Sequence, residues 1–282
     1  MLFNVKLLGR NCNVDNPVDE DHASFRLPSL YCDCQSEIIR RAAGNIIHGT
    51  ESQEEMAVAI FYWVRDNIKY ELGLIPDSAS ATLVRGAGSC TNKANLTVAL
   101  LRAVGFSAGF HVMEVKTREY FGALCTERFA RYMSERSLHI YCSVFIRDRW
   151  IKVDPSDDIR LSNSTRHLAF QATPVRFDGR SDAVLHLDPS HVLSDSQHRL
   201  ATVDSILAKP RRIPAAAVDL MNFYLDHLRN CCIWNSSVES IENDFFQWLH
   251  AEKPDLLAAL AAIGEATTST PSRVIPATGA AG

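Results

Sequence analysis

Apolar residues recur at spacings of three and four along much of the chain, a pattern that predicts helices divided by polar breaks. Ile38, Ile39, Ala42, Ile46 and Ile47 form one stripe, predicting a helix from about Asp33 to Ser36 through His48, with Gly49 placed to end it. Met56, Ile60, Trp63, Val64 and Asn67 form a second over Glu51 to Lys69, with acids gathered in its first turn. Leu96, Ala99, Leu100 and Ala103 form a third over Thr91 to Val104, stopped by Gly105. Between the second and third the period is lost, so Pro76, Ser80, Gly86 and Gly88 read as loop. The first residues, Met1 to Leu8, alternate like a short strand, and residues 9–30 read as loop.

The period then shortens. Phe106 to Glu114, His139 to Phe145 and Trp150 to Asp154 read as strands, the last two joined through Ile146 to Arg149. Lys116 to Ser137 is too long for a simple turn, and Phe129, Tyr132 and Met133 suggest a short helix on an insertion whose apolar face lies on the sheet. From Ser205 helical spacing returns: Val218, Met221, Leu225 and Leu228 within Pro214 to Leu228, then Phe245 to Ile263. Glu265 to Gly282 is rich in Thr, Ser, Pro, Ala and Gly, which predicts a disordered tail. The expected organisation is a catalytic domain over 1–200 with its insertion at 116–137, a helical appendage over 201–264, and the tail over 265–282. The apolar stripes of the appendage do not separate packing on the core from packing on another subunit, so the oligomeric state stays open.

Composition narrows the function classes. With 282 residues, 46% of them hydrophobic, the chain can bury a sizeable core. A net charge of −4 gives no global attraction to nucleic acid or to an anionic membrane. No apolar run approaches the roughly 20 residues that span a bilayer. The start lacks the pattern of a signal peptide, so a soluble cytoplasmic protein is expected. In a reducing compartment the eight cysteines are not expected to form a disulfide framework. Cys32 and Cys34 are spaced C-x-C, and Cys231 and Cys232 are adjacent; neither pair has zinc-ribbon spacing, so no metal or other cofactor is expected. Cys142 should face the core, where free cysteines are ordinary small hydrophobes.

Cys90 differs from the others. It stands at the mouth of the third helix, where backbone N–H groups and the helix dipole favour a thiolate. Gly86 and Gly88 permit a tight turn that presents it to a cleft, and Lys93 adds positive potential. The same N–H groups can hold an oxyanion. A buried cysteine opening a core helix would look the same locally. His139 and Asp154 add a base and a group to orient it. They are separated by an odd number of residues, so in a hairpin with an even loop they face one side of the sheet as diagonal neighbours. A strand-end His and a turn-forming Asp-Pro would account for each separately.

Gly86-x-Gly88-x-Cys90 followed by Asn95 to Phe106 resembles the nucleophile segment of the transglutaminase-like superfamily. Trp63 to Tyr70 resembles its preceding helix, and His139 to Phe145 and Trp150 to Pro155 its His and Asp strands. The likeness is collinear over about residues 50–160. It implies an α+β fold with a papain/transglutaminase-like core, a nucleophile helix packed on an antiparallel sheet with a C-terminal helical appendage. It also implies a Cys-His-Asp triad carried onto Cys90, His139 and Asp154. Flanking segments, including Asn222 to Arg229, resemble the stand-alone bacterial members, one branch of which resembles assembly-line amide synthases. Trp63 does not align with the family's oxyanion-donor Trp; Tyr70 is the substitute candidate beside the Cys90 backbone. Tyr141 holds the aromatic position two residues after the His. No calcium-binding loop is evident.

The implied chemistry is acyl transfer through a Cys90 acyl-thioester, forming an amide from an acyl or amide substrate, with an acyl or peptidyl carrier protein as a compatible partner. Peptidase or amidase hydrolysis by the same triad and a non-catalytic binding module are the alternatives. Arg118, Arg128 and Arg131, with Arg136, stand among aromatics on the insertion and are candidate contacts to an acidic partner or phosphate.

Overall fold

The computed structural model describes residues 22–73, 77–168, 174–209, 213–230 and 236–268. The strand expected at Met1 to Leu8, the pair Cys231 and Cys232, and residues 269–282 of the expected tail lie outside them. Helix α1 (Glu37–Ile46) and helix α2 (Gln53–Asn67) follow the predicted stripes, and Ser52 caps α2 by accepting the Glu55 N–H at 3.2 Å. A two-residue strand β1 (Lys69–Tyr70) comes next. The segment read as loop contains helix α3 (Ala79–Arg85), capped by Ser78 and too short to show a period. Gly86 ends it at φ 67°, and strand β2 (Ala87–Gly88) pairs parallel with β1.

Helix α4 (Cys90–Ala103) is the centre of the molecule, with every residue from Cys90 to Arg102 buried. It packs against α1, α2, α3 and the sheet, so its buried polar side chains turn to carbonyls inside the protein: Asn95 donates to Tyr31 and Thr97 to Lys93. Arg102 donates to the carbonyls of Leu27, Ala108 and Ala201, and so ties two distant segments, and the residues just beyond the helix, to its last turn.

Strand β3 (Ala108–Lys116) leads into the insertion, which carries two short helices, α5 (Thr117–Phe121) and α6 (Glu127–Ala130). Strands β4 (Arg136–Ile146) and β5 (Arg149–Val153) form the predicted hairpin, and helix α7 (Ile159–Thr165) follows, capped by Asp158. The hairpin turn is two residues, Arg147 and Asp148, both at positive φ, the primed geometry that matches strand twist. Strand β6 (Val192–Asp195), absent from the sequence reading because its side chains are mostly exposed, completes an antiparallel sheet in the order β5-β4-β3-β6. The fold is α+β, as expected.

The C-terminal region is helical: α8 (Asp204–Leu207), α9 (Ala215–Asn230), α10 (Val238–Glu252) and α11 (Pro254–Thr268). The stretch Phe245 to Ile263, read as continuous, is broken at Pro254, which opens α11 instead of interrupting it. Residues 265–268, assigned to the tail, belong to α11. The insertion also departs from expectation. Its apolar residues do not lie on the sheet; Phe129 is fully buried against Tyr224, Phe245 and Phe246 of α9 and α10. Glu242 of α10 accepts both the backbone N–H and the hydroxyl of Thr126, at 2.5 and 2.6 Å. Insertion and C-terminal helices thus share a second hydrophobic core.

The same helix is bolted to the first core. On α9, Asn222, Asp226 and Arg229 lie at helical spacing, one above another. Asn222 bonds both backbone groups of Leu72, Asp226 pairs with Lys69 at 2.8 Å, and Arg229 donates to the Tyr70 carbonyl. Their stripe therefore docks α9 along residues 69–72.

Candidate active site

The ladder β1–β2 sets Tyr70 opposite Gly88, two residues before Cys90. Gly88 is required by close approach, since a Cβ there would stand 2.6 Å from the Asn92 Cβ. Asn92 Oδ1 accepts the backbone N–H and the hydroxyl of Ser89, fixing the entry into α4. The first helical bond runs from Lys93 N–H to Ser89 O, so the N–H groups of Cys90, Thr91 and Asn92 lie ahead of the ladder, where the dipole favours negative charge. Cys90 is 8% exposed.

The hairpin register sets Cys142 opposite Val153, so Asp154 follows beside Tyr141 and is diagonal to His139. His139 Nε2 and Asp154 Oδ2 are 2.7 Å apart, with the residues 3% and 1% exposed. Burial alone would lower the His139 pKa. The Asp154 charge and hydrogen bonds to Asp154 and Cys90 outweigh it and hold the imidazole well above its ordinary value. For Asp154, burial works upward, but His139 and the Ser156 N–H, at 3.1 Å, hold the carboxyl below its ordinary value. The Nε2–H donates to a carboxylate, leaving Nδ1 as the nitrogen for the Cys90 thiol. A protonated imidazole beside a thiol at a helix N-terminus is the setting in which thiolates form. The other cysteines contrast with this: burial pushes Cys32 and Cys125 up to about 12, and Cys142 well above its ordinary value.

Tyr141 stacks between His139 and His111, with centroids 6.3 and 5.0 Å away, and its hydroxyl donates to Asp195 on β6. It thereby braces the His139 ring. Asp195 was missed because nothing in its exposed strand marks it.

Cys90 and His139 open onto a cavity of about 360 Å³, also lined by Tyr70. Tyr70, the candidate second oxyanion donor, thus shares the cavity with Cys90 and His139. Its backbone is gripped from both sides, its N–H donating to Asp158 Oδ2 at 3.1 Å and its carbonyl accepting from Arg229. Arg229 in turn pairs with the buried Asp158 at 2.8 Å. Lys93 does not serve the thiol as expected. Its ammonium is fully buried and donates to the carbonyls of Ile68 and Asp157, at 2.7 and 2.5 Å, closing the end of α2. Burial, only partly offset by Asp158 and Asp157, lowers its pKa to about 7. Arg118, Arg128 and Arg131 do not converge on the cavity. Arg118 faces Glu127 at 3.8 Å, Arg128 lies over the Phe246 ring, and Arg131 bonds the Tyr132 hydroxyl. Arg136 lines the cavity instead.

Residues 40–155, a stretch that contains Cys90, His139 and Asp154, match the family model of the transglutaminase-like superfamily. The superfamily is one of cysteine-dependent enzymes. A crystal structure of a candidate cysteine protease from Cytophaga hutchinsonii is similar at 23% identity and a TM-score of 0.39; the match covers 50% of this chain and 43% of that one. No curated protein matches the chain. Among the described residues no helix is long and apolar enough to cross a membrane.

Proposed function

We propose that the protein is a thiol acyltransferase in which Cys90 is the nucleophile, His139 the acid–base group and Asp154 its positioning carboxylate. The observation that carries this reading is the contact chain Cys90–His139–Asp154 set in the wall of a largely apolar cavity. The Cys90 thiolate attacks the carbonyl carbon of a thioester. The backbone N–H groups at the start of α4, with the Tyr70 phenol as second donor, hold the oxyanion. Collapse expels the leaving thiolate, which takes the proton from His139 Nδ1. An amine then attacks the acyl-thioester, loses a proton to His139 and releases Cys90, leaving an amide.

Water would resolve the same intermediate to an acid, and access decides between the two. The thiol and imidazole are buried beneath the insertion and the C-terminal helices, which favours a bound amine over bulk water. Exposed Lys209 at the rim, with Arg136 there 3.7 Å from Glu114, adds positive charge that suits an acyl carrier or another anionic donor. Intact-protein mass spectrometry after incubation with acyl-thioesters tests the scheme. Mass gain by wild type and none by Cys90→Ala is expected. Equal gain by both would remove Cys90 as nucleophile. Adding an amine to the loaded enzyme should give amide; free acid alone would make it a hydrolase.

A further inference from the structure

The cavity in front of Cys90 is built from four stretches far apart in sequence: residues 70–72, the start of α4 with Ser89, residues 115–139, and residues 206–221. Val115, Leu207, Ala217, Val218 and Met221 form its buried inner wall. Arg136, Leu138, Lys209 and Ile213 are exposed and form its rim. Among the described residues no Asp or Glu lines it, so a cation placed inside would be desolvated without a carboxylate partner. Its volume of about 360 Å³ suits a small-molecule ligand. One wall residue is not apolar in its demands: Thr117, 6% exposed, has a buried hydroxyl with no hydrogen-bond partner. Such a group costs stability unless a ligand satisfies it.

We infer that the cavity binds an apolar acyl chain carrying one hydrogen-bonding group, with the chain against α9 and that group at the Thr117 hydroxyl. The inference rests on the acyltransferase reading and narrows its substrate class. Val218 and Met221 become the residues that limit chain length. Thr117 becomes the one that distinguishes a hydroxylated or amide-bearing chain from a plain one. The C-terminal helices then act as the selectivity wall of the site.

The test uses full-length Cys90→Ala, which binds without reacting. Calorimetry with N-acetylcysteamine thioesters from acetyl to decanoyl should show affinity rising up to about fourfold per methylene until the cavity is full. Affinity that stays flat with length overturns the apolar assignment. Met221→Trp in the same background should shorten the longest chain accepted, and no change in that limit counts against α9 as the wall. Among positional isomers of hydroxyoctanoyl thioester, at least one should bind better than octanoyl, and Thr117→Val should remove that preference. Preference for none, or one that survives Thr117→Val, overturns the role of Thr117. Acyl capture by wild type is measured separately. Length dependence without capture sinks the thiol chemistry and spares the cavity; equal capture of acetyl and octanoyl with flat binding does the reverse.

Discussion

Replacing Asp154 by Asn probes the site most sharply, because shape is kept while charge and donor pattern change. In the wild type Asp154 accepts two donors, His139 Nε2–H at 2.7 Å and the Ser156 N–H at 3.1 Å. Asn offers one acceptor oxygen, so its NH2 must face one of those donors. The escape is for His139 to surrender its Nε2 proton and hold one at Nδ1, the tautomer that cannot take a proton from Cys90. Acyl capture at neutral pH should fall on the order of 10²- to 10⁴-fold. Alkylation of Cys90 by iodoacetamide near pH 6 should slow at least tenfold, on the order expected when a thiolate loses its imidazolium.

Stability carries a second signature of the same change. His139 is raised above its ordinary 6.5, so its share of stability is full below that pH and lost as pH climbs through the raised value. Asp154 is lowered below its ordinary 3.8, so its share is present above that pH and lost as pH falls through the lowered value. Wild type should therefore exceed Asp154→Asn by about 3–5 kcal/mol between those two pH values, the cost of unpairing a buried ion. Above the raised His139 value the gap should shrink to about 1–3 kcal/mol, the cost of one unsatisfied buried group. Chemical denaturation across pH and alkylation rates read by mass spectrometry check both. A pH-independent gap together with an unchanged alkylation profile would refute the coupled ion pair.

Two further outcomes follow from buried groups. The pKa of Lys93 is lowered to about 7 by burial, so between there and its ordinary 10.5 the unfolded chain binds the extra proton and folding strengthens as pH rises. Wild type should gain about 2–3 kcal/mol on Lys93→Met between roughly pH 7.5 and 9.5, and parallel denaturation profiles would contradict this. Phe129→Ala should cost about 3–5 kcal/mol by emptying the contact with Tyr224, Phe245 and Phe246, and should expose the insertion to limited proteolysis. A loss under about 1 kcal/mol would mean the second core does not hold the insertion.

The strongest helices and the hairpin were legible because their signals are local. The stripes of α1, α2 and α9 are one-sided, and the two-residue turn at Arg147 and Asp148 sets the register that makes His139 and Asp154 diagonal neighbours. What escaped the sequence reading depends on contacts between remote segments. Lys93 looked like an electrostatic aid to Cys90 because it lies three residues away, yet its ammonium is taken by carbonyls of Ile68 and Asp157. Arg128 looked like a docking charge because it is basic and flanked by aromatics, yet its guanidinium sits over the Phe246 ring 3.7 Å from the centroid. Composition and spacing count such groups but do not say which partner neutralises them.

The same limit explains why the helical segment after residue 200 looked like an appendage. Residues 69–72 carry both the short strand beside Cys90 and a backbone edge that needs partners. Asn222 supplies them to Leu72 as a strand would, accepting from its N–H at 2.8 Å and donating to its carbonyl at 2.9 Å. Arg229 fills the Tyr70 carbonyl and neutralises Asp158, whose carboxylate also accepts the Tyr70 N–H and caps α7. A helix bound that tightly to the Tyr70 backbone turns Val218 and Met221 toward the cavity that Cys90 lines. Changes along α9 therefore reach Tyr70 and the cavity wall together, while the Cys90–His139–Asp154 contacts, built on α4 and the hairpin, stay untouched. Chain-length preference can shift through α9 without loss of the thiol chemistry, because the two are carried by different cores, joined along residues 69–72, through Asp158 and α7, and through the insertion.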